Sequence, residues 1–137
     1  MRPRLLVLSG LVPLALLAAG CGARSSAPYT ARGSAKCLTD KGYTGVTTDA
    51  SKVGFIAGFA DNGGLRATAP NRNVVTIAFA ADPADAASTA KAFTAHATPF
   101  YRRHMHDIMQ IQRNAVMVWT TAPSQGQINT VTGCLGS

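Results

Sequence analysis

The chain has 137 residues, 47% of them hydrophobic and 14% charged. That excludes a disordered polymer and leaves room for one compact domain rather than two. Thirteen Lys and Arg against six Asp and no Glu give a formal charge of +7. No basic run is interleaved with aromatics, so the excess suits an anionic surface or plain solubility and argues against nucleic acid.

Residues 1–20 read as an export signal. Arg2 and Arg4 come first, an apolar run fills 5–19, and small residues close it. The run contains Gly10 and Pro13 and is shorter than the roughly 18 apolar residues that a spanning helix needs. It ends in Leu17-Ala18-Ala19-Gly20-Cys21, which resembles the lipobox of bacterial lipoproteins, with Ala18 where that family most often carries leucine. The resemblance covers the leader alone. It implies removal of residues 1–20, a diacylglycerol on the Cys21 sulfur, further acylation such as palmitate, and residence on the outer side of the bacterial cell membrane. Two acyl chains hold firmly where one would come off, since each buried methylene contributes about 0.8 kcal/mol. The competing reading of the same flank is ordinary secretion, with cleavage just beyond Cys21.

Cleavage before Cys21 leaves 117 residues with eleven basic groups and six aspartates, a formal +5. Lipidation consumes Cys21, and Cys37 and Cys134 remain. An exported pair is expected to be oxidised, closing nearly the whole domain into one loop.

Residues 21–34 lack periodicity and are rich in Ser, Gly, Ala and Arg, which predicts a lipidated tether reaching about 20 Å ahead of a domain at 35–137. Residues 35–41 form a short helix ended by Gly42, with Cys37 and Leu38 as its buried contacts. A weak strand over 43–48 follows. In 53–60 (VGFIAGFA), Val53, Phe55, Ala57 and Phe59 alternate, a strand period, with Gly54 and Gly58 on the other face where a neighbour can approach closely. Asp61-Asn62-Gly63-Gly64 supplies a hairpin turn to a partner strand over 65–69.

Residues 74–80 are the clearest strand, with Val75, Ile77 and Phe79 on one face. Asp82 caps a helix that Pro83 opens and that runs to about residue 97, with Ala86, Ala90, Phe93 and Ala97 on its apolar side. Residues 99–107 read as an extended connection. Strands over 108–112 and 115–121 meet at Arg113-Asn114, and a last helix over 124–135 turns Ile128, Val131 and Leu135 inward. Hairpins each followed by a helix predict an α+β two-layer sandwich with a mainly antiparallel sheet, about three helices and one disulfide. Short exported lipoproteins that pair an early and a late cysteine are similar in pattern.

The densest chemistry lies in Arg102-Arg103-His104-Met105-His106-Asp107, with His96 upstream. On an extended segment His104 and His106 share a face, and with His96 and nearby methionines they suit copper or zinc. Arg102 and Arg103 are the candidate anion-binding pair, for a phosphate or carboxylate. Against the metal stand the two arginines, which repel a cation. No Gly-x-Ser-x-Gly, phosphate loop or His-Glu-x-x-His occurs, so an envelope hydrolase is a residual reading only. The expectation is a membrane-anchored extracytoplasmic binding lipoprotein whose partner is an envelope protein or an anionic envelope polymer. The alternative is a copper- or zinc-binding envelope protein.

Overall fold

The strand with the plainest alternation is the centre of the molecule. In the computed structural model, which describes residues 27–137, β3 (Val74–Phe79) pairs on one side with β2 (Gly64–Thr68) and on the other with β5 (Ala115–Trp119). Two edge strands, β1 (Thr44–Thr47) and β4 (Met109–Gln112), complete a five-stranded sheet of order β1-β2-β3-β5-β4, antiparallel throughout. Cross-strand partners share a face. Leu65 lies opposite Ile77, and Ile77 opposite Met117, so alternate residues assemble one apolar surface from Leu65, Ala67, Val75, Ile77, Phe79, Met117 and Trp119.

Helices α1 (Ala31–Asp40) and α5 (Gln125–Cys134) cover that surface, contributing Leu38, Val131 and Cys134, with Leu135 just beyond α5. Ser124 caps α5 in a reciprocal capping box: its hydroxyl accepts from the Gln127 amide, and the Gln127 side chain accepts from the Ser124 amide. Cys37 and Cys134 are disulfide-bonded, 97 positions apart in sequence with Cα atoms 5.5 Å apart, and so join α1 to α5.

The α+β class, the antiparallel sheet and the disulfide agree with the sequence reading. The helices number five among the described residues, against about three expected, and they flank both faces of the sheet. On the second face, α3 (Pro83–His96) lays Ala86 and Ala90 against Val116. The Asp82 side chain accepts from the Asp85 amide at its N-terminus. A single turn, α2 (Phe55–Gly58), seats Ala57, with Val53 just ahead of it, on Ala78. The sheet is therefore packed on two sides where two layers were expected.

Residues 53–60 are thus not a strand. Periods of two and of four coincide at every fourth residue, so Val53 with Ala57 and Phe55 with Phe59 are compatible with either geometry. The helical turn splits the four: Val53 and Ala57 are buried, while Phe55 and Phe59 face solvent. Gly54, at φ 93°, turns the chain into α2. The predicted close approach at Gly58 is present, because a Cβ there would lie 2.6 Å from the Ala50 carbonyl oxygen.

Two boundaries also move. Helix α1 begins at Ala31, inside the expected tether, because Thr30 caps it by accepting from the Gly33 amide. Tyr29 is tied down as well: its N–H donates to the Asn114 side chain at 2.8 Å, and Asn114 donates back to its carbonyl at 2.9 Å. Residues 29–34 of the expected tether thus belong to the folded domain, and residues 21–26, with Cys21, lie outside the described residues. Residues 99–107, read as extended, belong to helix α4 (Pro99–Ile108), which buries Met105 and Ile108.

Candidate functional site

The second face of the sheet is incompletely covered. One turn of α2 and the four turns of α3 reach it from different sides, and Phe93 of α3 packs into both of the small clusters they make. Between them the sheet is left open over Thr76 and Val118. A groove results, in two lobes. One, of about 340 Å³, is walled by Ile56, Phe93, His96, Tyr101 and Met105 over Thr76 and Val118. The other, of about 350 Å³, extends along Val53, Gly54 and Phe55 and shares Ile56, Thr76, Phe93, His96 and Val118 with the first. Each volume is at the low end of what small-molecule sites enclose.

The lining is mainly apolar, with polar groups at intervals: Thr76 and His96 where the lobes join, and Thr98 and Thr120 in the first lobe only. The α2 wall is set by the loop before it. The Asp49 carboxylate accepts from both the amide and the hydroxyl of Ser51, and its carbonyl accepts from the Lys52 and Val53 amides. Those Ser51 bonds, with help from Lys52, hold the Asp49 carboxyl below the usual aspartate range. Gly64 sits directly beneath α2, where a Cβ would meet the Ala57 carbonyl oxygen at 2.4 Å.

The segment singled out from the sequence is arranged differently from the expectation. Residues two apart on a helix diverge by about 200°, so His104 and His106 of α4 do not share a face. They meet the Asp107 carboxylate from two directions, His106 Nε2 at 3.1 Å and His104 Nδ1 at 3.8 Å. The His104 ring also packs against Phe100, with centroids 4.9 Å apart. His96 is elsewhere, in the groove wall. Among the described residues no group of three or more His, Cys, Asp or Glu is placed to hold a metal ion.

Of the candidate anion-binding pair, Arg102 is committed. Its Nη2 donates to the Ala95 carbonyl at 3.2 Å and the Ala97 carbonyl at 3.0 Å, satisfying the exposed acceptors at the C-terminal end of α3. Arg103 is exposed on α4.

Sequence reasoning missed the groove because it drew 53–60 as a strand, which removes the wall carrying Ile56. One usable signal was Phe93, the single bulky side chain on an otherwise small-residue helix face. No helix among the described residues is long and apolar enough to cross a membrane. Compared with known proteins, the chain matches no family model, no curated protein and no solved structure.

Proposed function

We propose that this chain is a membrane-anchored extracytoplasmic lipoprotein, held through a lipid on Cys21, whose domain binds an amphipathic ligand in the groove over Thr76 and Val118. The observation that carries the binding reading is the groove itself. Sheet, α2 and α3 pack together around it, yet among the described residues nothing covers its apolar walls. The lining suits a ligand with an apolar body and one hydrogen-bonding end, the end lying toward Thr98 and Thr120 in the first lobe. The lipobox-like leader and the export-compatible disulfide support the anchored, extracytoplasmic setting.

Two measurements test this. Anilinonaphthalene sulfonate should bind the folded protein saturably, and Thr76→Trp, which fills the floor of the groove, should abolish that binding while leaving the melting transition cooperative. Absence of saturable binding, or binding unchanged by the substitution, refutes the groove. Cys21→Ala should move the protein from the membrane fraction to the soluble one, and retention refutes the anchor.

A further inference from the structure

Folding does not account for Phe55 and Phe59. They lie side by side on the solvent side of α2, ring centroids 5.0 Å apart, and are 78% and 79% exposed. Large contiguous apolar surface left in water is characteristic of contact sites for protein or membrane. The pair is close to where the chain enters the domain. Phe59 leads directly into a turn whose Asn62 accepts from the Ala31 amide and donates to the Phe79 and Ala80 carbonyls. The Ala80 carbonyl is also held by Asn114, the residue that clamps Tyr29.

The reach from the anchor is short. Since Tyr29 is fixed, eight residue steps separate it from Cys21, which span at most roughly 28 Å even when fully extended. A domain held that closely keeps its Tyr29 end within that distance of the bilayer, and Asn62, three residues after Phe59, is hydrogen-bonded at that end; Arg32 lies on the first turn of α1. Phenylalanine side chains on an interfacial segment bury at the boundary between headgroups and acyl chains, and a basic residue near the bilayer favours anionic lipid.

We infer that Phe55 and Phe59 insert into the headgroup region of the membrane, so that the domain rests on the lipid surface in one orientation. This rests on lipid attachment at Cys21, and the test separates the two. Full-length protein is purified from membranes and reconstituted into phosphatidylethanolamine–phosphatidylglycerol vesicles, with and without bromine on the acyl chains. Phe59→Trp should add a blue-shifted emission, roughly half or more of which brominated lipid quenches, as for a side chain buried about 5–10 Å into the boundary. Phe100→Trp is the control. It lies beside Thr120 and Thr121, past the end of β5 remote from Asn114, and should add water-like, unquenched emission. If the vesicles float with the protein and the tryptophan at 59 is unquenched, the inference is overturned. A blue shift without quenching overturns it too, and points to a protein partner or a second copy. Failure to float, or equal flotation of Cys21→Ala, overturns the anchor instead.

Discussion

Gly64→Ala measures how tightly α2 is laid on the sheet. The backbone at Gly64 is not in the left-handed region, so alanine is conformationally allowed and only space opposes it. The added Cβ would meet the Ala57 carbonyl oxygen at 2.4 Å, its carbon at 2.7 Å and the Val53 Cγ2 at 2.8 Å. Ordinary contact distance requires roughly 1 Å more, and two of the three obstructing atoms are backbone. Either α2 lifts, which strips Val53 and Ala57 from Ala78, or β2 bows against β3. Overpacking of this kind costs about 1–3 kcal/mol, offset by about 0.4–1 kcal/mol from the reduced freedom of the unfolded chain.

The net expectation is a loss of about 1–2 kcal/mol, or some 5–15 °C in Tm for a domain of this size. Gly133→Ala is the matched comparison. It lies exposed in α5 with nothing within 4 Å of its added Cβ, and should gain up to about 1 kcal/mol of helix propensity. Thermal and urea unfolding of both variants should therefore move in opposite directions. If 53–60 were a strand, Gly64→Ala would be neutral or stabilising. A Gly64→Ala protein at least as stable as the parent refutes the packing described for α2.

Three further outcomes follow from the same structure. Replacing both bridging cysteines, Cys37→Ser with Cys134→Ser, should cost on the order of 4 kcal/mol, because the bridge closes a loop of about 100 residues; unfolding by denaturant checks it, and a change under about 1 kcal/mol contradicts it. Asn114→Ala removes the side chain that accepts from Tyr29 and donates to the Tyr29 and Ala80 carbonyls, so about 2–4 kcal/mol should be lost. Hydrogen exchange at the Tyr29 amide should accelerate in step, and unchanged protection there contradicts the clamp. Burial raises the Tyr43 phenol above the ordinary tyrosine value. The unfolded chain then ionises first, so this contribution to stability is intact below about pH 10 and fades as pH rises through the folded value. Alkaline absorbance titration should show a late component that Tyr43→Phe removes.

What could be read in advance divides by how local the cause is. β3 announced itself because alternation at Val75, Ile77 and Phe79 is imposed by a sheet buried on that face. The starts of α3 and α5 were legible because Asp82-Pro83 and Ser124 supply their own caps. Residues 53–60 failed because alternation of large and small side chains fits a helical turn as well as a strand. What decides between them is Gly64, a neighbour in space whose missing Cβ lets α2 sit down. The α4 segment was misread because two histidines two apart suggested a shared face. Its buried Met105 and Ile108, three apart, and Pro99 at its first position were the better signals. The groove depends on where α2 and α3 both stop, which no single stretch encodes.

The disulfide has a mechanical consequence. A load applied from the N-terminal side of the domain enters at Tyr29 and meets the Cys37 cross-link eight residues later. Only the start of α1 can be peeled away before tension passes through sulfur into α5. The loop that the bridge encloses holds all five strands and the groove, so a pull on a groove ligand divides at the bridge and enters the loop from both ends. A pull from the N-terminal side is thus shared between α1 and α5 once the first turn or two of α1 has given way, and neither end of the loop carries it alone.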